Sequence, residues 1–226
     1  MEQTVLIRQY KKEDIADVNL GEVWRYAGYC GIPDRSEKEL WSQLEEVLRL
    51  ADRELTYKVV YFKSRTMAFQ HSSEDLEKHL KDCDTYYLFA ATLGVGIDRL
   101  IAVHGRISPV KGLLLQALGA ERIEALCDTF CEEIEALESE GGKTLTMRFS
   151  PGYGDLPLEI QTDIFRILDC NRRIGLSLNK SLLMSPSKSV TAIFGARKGM
   201  EENARKKWCT HKCASCPNTN CEYRGK

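Results

Sequence analysis

The ten residues from Arg148 to Pro157, Arg-Phe-Ser-Pro-Gly-Tyr-Gly-Asp-Leu-Pro, put one cation and one phenol into a loop of constrained shape. Lys143–Phe149 leads into it with the polar/apolar alternation of a half-buried strand, and Leu158–Cys170 follows with helical apolar spacing. Arg148 therefore stands where a strand gives out into a loop, a common place for binding groups. Pro151 and Pro157 fix φ, while Gly152 and Gly154 allow φ above zero, so the backbone can come close to a ligand. Such a loop can grip a small anion. The same residues can also form an ordinary turn in which Arg148 pairs with a neighbouring carboxylate and Tyr153 only packs.

The C-terminal stretch Cys209-Thr-His-Lys-Cys213-Ala-Ser-Cys216-Pro-Asn-Thr-Asn-Cys221 is the second candidate for chemistry. Four thiolates at Cys209, Cys213, Cys216 and Cys221 match the donor set of a tetrahedral zinc or of an iron–sulfur cluster, and lie too close together for four independent core cysteines. Zinc sites usually split their ligands into two distant pairs, whereas a Cys-x-x-Cys with nearby outliers on one short loop also fits a four-iron cluster. Residues 197–226 carry eight Lys/Arg against three Asp/Glu, a charge of +5 that leaves −6 on the rest, and positive charge favours thiolate over thiol.

Several elements must hold the Arg148 loop. Ser36-Glu37-Lys38-Glu39 reads as a capping box for a helix with Leu40, Leu44, Val47 and Ala51 on one face. Leu55–Phe62 and Thr85–Thr92 read as strands, with a short polar helix over Asp75–Leu80 between them. Ser108-Pro109 starts a long helix whose apolar row is Ile123, Leu126, Phe130, Ile134 and Leu137, and Gly141-Gly142 ends it. Cys127 and Cys131 flank that row as core thiols, and Glu124 reads as a solvated glutamate. Strands over Leu178–Met184 and Val190–Phe194 are joined around Ser185-Pro186-Ser187-Lys188. Strands and helices do not alternate regularly, which predicts an α+β domain with a largely antiparallel sheet flanked by helices over residues 1–196, and a small Cys-rich tail over 197–226.

Composition sets the outer limits. With 226 residues, 43% hydrophobic and 29% charged, the chain suits one compact domain, and a net charge of −1 gives no reason to invoke nucleic acid. No 18-residue apolar run and no apolar leader are present, so we expect no membrane and a cytoplasmic location. Nine cysteines in that setting point to buried thiols, metal ligation or redox chemistry rather than disulfides. Gly94 and Gly96 invite a dinucleotide reading, but the third glycine of that fingerprint would fall at Arg99. A tight strand-to-helix turn, with Asp98 opening the helix, is the better use.

Beyond the loop come Arg173-Ile174-Gly175-Leu176 and Met184-Ser185-Pro186-Ser187-Lys188-Ser189-Val190. Together, residues 148–192 resemble the S-adenosylmethionine-binding core of the reactivation domain of cobalamin-dependent methionine synthase. The matching positions are Arg148, Pro151, Gly152, Tyr153, Pro157, Gly175, Pro186, Ser189 and Val190. Weaker matches at Thr92–Asp98 and Ala120–Asp128, where Glu124 falls on an acidic position of the family, extend the resemblance over most of 22–195. Two features depart from the domain fused inside full-length synthases. Leu156-Pro157-Leu158-Glu159-Ile160 replaces a Cys-Pro-Asp-His-Thr run, and Ala192–Arg197 replaces a His-Pro-containing, tyrosine-rich stretch. The chain looks like the short, free-standing branch of the family, working as an accessory subunit beside a truncated synthase.

The resemblance implies a repair reaction. Cob(I)alamin on the synthase occasionally loses an electron, and recovery needs one electron and one methyl group, which S-adenosylmethionine supplies to cobalt. Arg148 would clamp the methionyl carboxylate, Tyr153 would hydrogen-bond or stack, and the Phe149–Ser150 backbone and Gly152 would complete the ligand site. No catalytic acid or base is expected, because sulfonium methyl transfer to cobalt moves no proton. The implied partners are a cobalamin-binding methionine synthase or related corrinoid protein and an electron donor. An iron–sulfur tail suits a reaction that consumes an electron. Two other readings keep the residues and change the role: a corrinoid-protein activator whose cluster delivers electrons, and a zinc-stabilised interaction module.

Overall fold

The computed structural model describes residues 4–198. Its elements in chain order are β1 (Val5–Tyr10), a 3-10 turn (Lys12–Asp14), α1 (Leu20–Tyr26), α2 (Lys38–Glu54), β2 (Tyr57–Ser64), α3 (Glu74–His79), β3 (Thr85–Thr92) and α4 (Val95–Ile107). There follow α5 (Pro109–Ser139), β4 (Lys143–Leu145), α6 (Ile160–Leu168), α7 (Cys170–Ile174), β5 (Ser177–Leu178), β6 (Met184–Ser185) and β7 (Ser189–Lys198). Five strands form one sheet in the order β1-β2-β3-β7-β4, every pair antiparallel, and β5-β6 form a separate two-stranded ribbon. The α+β, antiparallel expectation holds.

The central strands are apolar at nearly every position because both sheet faces are covered. Successive strand side chains point to opposite faces. Val59 and Tyr61 of β2, Tyr87 and Phe89 of β3, and Ala192 and Phe194 of β7 accordingly join the core under α1, α2, α4 and α5. Val60 and Phe62, Leu88 and Ala90, and Ile193 turn the other way, into a second core with α3, α6 and α7. The three-layer arrangement leaves no central-strand face for solvent.

The long helix α5 crosses the first face. Ser108 caps it, its hydroxyl oxygen accepting from the Lys111 amide at 3.3 Å, and Pro109 occupies the first turn. Phe130 sits at its centre, with ring centroids 5.1 Å from both Phe89 and Tyr61. Cys127 and Cys131 are fully buried beside it, as expected of core thiols. A Cβ on Gly112 would lie 2.7 Å from Gly105 Cα, so glycines at this crossing let α4 and α5 approach backbone to backbone.

Four sequence expectations need correction. Ser36 does not cap α2; Asp34 shapes that entrance instead, its carboxylate accepting from the Ser36 amide at 2.7 Å, and Glu37 takes the cap position without a side-chain bond. Leu137 faces outward at 52% exposure, because the stripe has turned off the sheet by the last helical turn. The strand expected over Lys143–Phe149 runs only to Leu145 and returns as a single bridge from Phe149 to Ile193. Leu178–Met184 is a tight hairpin rather than one strand, because Asn179 Oδ1 accepts from the Ser181 and Leu183 amides and folds the chain back.

Candidate functional site

Arg148 is delivered by a chain segment held against β7. Thr146 exchanges bonds with Gly195, its amide donating to the Gly195 carbonyl at 2.8 Å and its hydroxyl accepting from the Gly195 amide at 3.0 Å. Phe149 exchanges both backbone groups with Ile193 at 2.8 Å. Between these points the Met147 carbonyl meets His79 Nε2 at 2.6 Å, and the His79 ring lies 5.2 Å from that of Phe149. Arg148 is therefore turned toward α5, opposite to Phe149. There its guanidinium Nη2 lies 2.9 Å from Glu124 and 2.9 Å from Asp128, with the side chain 11% exposed. Burial alone would lower the guanidinium pKa; the surrounding Cys127, Glu124, Cys131 and Asp128 groups outweigh it and hold it raised. Burial in turn pushes the Cys127 thiol pKa well up, with the Arg148 charge opposing.

The loop after Arg148 is stiff. The Tyr153 amide bonds the Ser150 carbonyl at 3.1 Å, and the Gly152 amide bonds the Leu156 carbonyl at 2.9 Å, with Gly152 at φ 88° where a side chain would be strained. Leu156 is buried in the second core. Asp155 fastens the far end to the start of α3, accepting from the Glu74 amide at 2.8 Å, the Asp75 amide at 3.3 Å and the Ser73 hydroxyl. One short helix thus grips the loop at both ends, Asp155 at its N-terminus and His79 at its C-terminus.

Because β4 and its continuation leave β7 at the Phe149–Ile193 bridge, the start of β7 has no strand on that side. A cleft of about 160 Å³ opens there. Arg148 and Glu124 line one wall, and Ser150, Pro151 and Tyr153 another. Gln161, Met184 and the Ser189–Thr191 start of β7 complete it. Tyr153 is 56% exposed at the rim and meets Phe149 edge-on. Tyr26 of α1 feels the same glutamate: burial pushes its phenol pKa up and the charge of Glu124 adds to that. The Pro186–Val190 turn is fixed from beneath by Asp98, whose carboxylate accepts from the Ser187 amide at 2.7 Å and from its hydroxyl. Ser189 Oγ lies 2.8 Å from Thr92 Oγ1.

Of the residues singled out from sequence, Arg148, Ser150 and Tyr153 meet at the cleft. Phe149 and Gly152 shape the loop, the backbone groups of Phe149 being committed to Ile193. Cys209, Cys213, Cys216 and Cys221 lie outside the described residues, within which no cluster of His, Cys, Asp and Glu is placed to hold a metal. Glu124 is not a free solvated glutamate; it pairs with Arg148. Sequence reasoning missed Gln161. Its signal was a polar residue on the buried stripe of α6, where Gln161, Ile164 and Leu168 recur at helical spacing.

These features define a class of protein, an α+β domain with a mixed-charge cleft at the open edge of its sheet, suited to a small ligand bearing both charges. The chain belongs to the family of vitamin B12 dependent methionine synthase activation domains, whose model matches residues 64–207. Its fold is that of a solved MetH reactivation domain bound to AdoHcy, with a TM-score of 0.62 and 16% identity over 88% of this chain and 80% of that one. No curated protein matches the sequence significantly. No helix among the described residues is long and apolar enough to cross a membrane.

Proposed function

We propose that this chain reactivates a cobalamin-dependent methionine synthase, or a related corrinoid protein, by holding S-adenosylmethionine in the Arg148 cleft with its methyl group toward the partner's cobalamin. Family membership and the AdoHcy-bound structural relative support the ligand. The observation that carries it to this site is the Arg148–Glu124 pair, at 2.9 Å on one wall of the cleft. An amino-acid moiety carries a carboxylate and an ammonium on one carbon. Arg148 takes the first in a charge-assisted bond, and Glu124 takes the second.

One electron and the sulfonium methyl together return the partner's cobalamin to its methylated form, with S-adenosylhomocysteine as the other product. No proton moves, so the chain needs no acid or base. Its work is orientation: the loop fixed by Asp155 and His79 sets Tyr153 beside the ligand, and the open edge of β7 offers backbone groups along it. A reactivation assay starting from cob(II)alamin enzyme tests the reading. Recovery that requires both a reductant and S-adenosylmethionine supports it; recovery with reductant alone favours an electron-delivering activator.

We extend the proposal to the Cys-rich tail, which begins after β7 rather than at residue 197 because Arg197 and Lys198 pair with β4, with Cys209, Cys213, Cys216 and Cys221 as metal ligands. Iron in an iron–sulfur cluster suits the electron that reactivation consumes. Metal analysis of anaerobically purified protein decides it, since zinc at one equivalent without iron removes the cluster.

A further inference from the structure

Gln161 is 5% exposed and lines the cleft. Its Nε2 donates to Thr191 Oγ1 at 3.3 Å. Its Oε1 is buried with no hydrogen-bond partner among the described residues. A buried acceptor without a donor is unfavourable, and native proteins rarely retain one without a water, an ion or a bound molecule to complete it. The α6 stripe that carries Gln161 is otherwise filled by Ile164 and Leu168, which would accept an apolar residue in its place.

We propose that Gln161 is a recognition residue that accepts a hydrogen bond from a neutral N–H or O–H of the nucleoside half of the ligand. Two observations give this direction. Arg148 and Glu124 lie on the α5 side of the sheet and suit charged groups, so the amino-acid end belongs there. Gln161 and Thr191 lie on the α6 side, across the uncovered start of β7, and offer an uncharged acceptor. In an adenosyl ligand the neutral donors are the two ribose hydroxyls and the exocyclic amine of adenine. Thr191 holds the amide in place, which spares the ligand the cost of ordering it.

The inference rests on the S-adenosylmethionine reading, and its test separates the two. S-Adenosylhomocysteine and three analogues, lacking the 2′-hydroxyl, the 3′-hydroxyl or the 6-amino group, are titrated into the full-length wild-type protein and into Gln161→Met. The variant should bind S-adenosylhomocysteine at least tenfold more weakly, about 1.4 kcal/mol. One analogue should be weakened in the wild type and lose nothing further in the variant, while the other two lose equally in both proteins. The unliganded variant should melt at or above the wild-type temperature, because an unpartnered group has been removed. Equal affinity of wild type and variant, or no analogue whose loss depends on Gln161, overturns the inference and leaves the ligand intact. A wild type that binds all three analogues as tightly as the parent overturns it even if the variant does not fold. No binding of the parent compound by wild type overturns the ligand reading itself.

Discussion

Glu124 approaches Arg148 to 2.9 Å from α5, one residue before the segment bearing Arg148 leaves the sheet at the Phe149–Ile193 bridge. Asp128, one helical turn further on, reaches the same guanidinium nitrogen at 2.9 Å. The cation is thus held by two carboxylates, of which Glu124, at 38% exposure, is the one open to the cleft. Replacing it by Gln keeps the shape and removes the charge. Glu124→Gln should weaken S-adenosylmethionine about tenfold by calorimetry, while an analogue lacking the α-ammonium binds both proteins alike. Equal losses for both ligands would mean that Glu124 acts only by holding Arg148.

The grip of Asp155 on α3 should be visible in loop dynamics. Its carboxyl pKa is lowered chiefly by the Ser73 hydroxyl, with the Glu74 and Asp75 amides adding and burial opposing. A lowered folded-state pKa gives a contribution that is present above the ordinary carboxylate range and lost as pH falls through the lowered value. Asp155→Asn should speed amide exchange over residues 150–156 at neutral pH and weaken ligand binding, with the β3 amides unchanged.

Glu138 provides a second acid-sensitive contact, far from the cleft. It is 7% exposed, accepts from Lys63 Nζ at 2.6 Å and is bonded to the Tyr87 hydroxyl. Burial raises its pKa, but the Lys63 and Tyr87 bonds prevail and hold it lowered. Glu138→Gln should cost about 1–2 kcal/mol in urea unfolding at pH 7. By the same sign rule the gap between variant and wild type should close as pH falls below the carboxylate range; a gap independent of pH would place the loss in packing.

The aromatic centre where α5 meets the sheet should dominate stability. Phe130 is fully buried between Phe89, Tyr61 and Phe194. Phe130→Ala should lower unfolding free energy by about 3–5 kcal/mol, against little change for Leu137→Ala on the exposed side of the same helix.

Much of this was legible in the sequence where one physical signal dominated. The Thr85–Thr92 strand is found to the residue, because a six-residue apolar run, Tyr86–Ala91, closed by a β-branched threonine at each end has few other fates. The α5 start is found because Ser108-Pro109 combines a side-chain cap with a fixed φ. The extent of β4 was not legible: Lys143–Phe149 alternates as a strand should, yet Met147 is held by His79 from another helix, a contact separated by 68 residues. Asp98 and Asp155 read as ordinary turn or helix residues, and their real partners, Ser187 and the start of α3, lie 89 and about 80 residues away. Arg148 and Tyr153 stood out because a cation and a phenol in a Pro/Gly-shaped loop are conspicuous locally. Gln161 did not, because only the fold shows that its amide faces a cleft.

The most direct test of the central claim is calorimetric titration of S-adenosylmethionine into anaerobically purified full-length protein, wild type beside Arg148→Lys and Arg148→Ala. The account predicts saturable binding near one equivalent for wild type and at least a tenfold loss, about 1.4 kcal/mol, in folded Arg148→Ala, with Arg148→Lys between the two. No binding by wild type, or unchanged affinity in both variants, would contradict it.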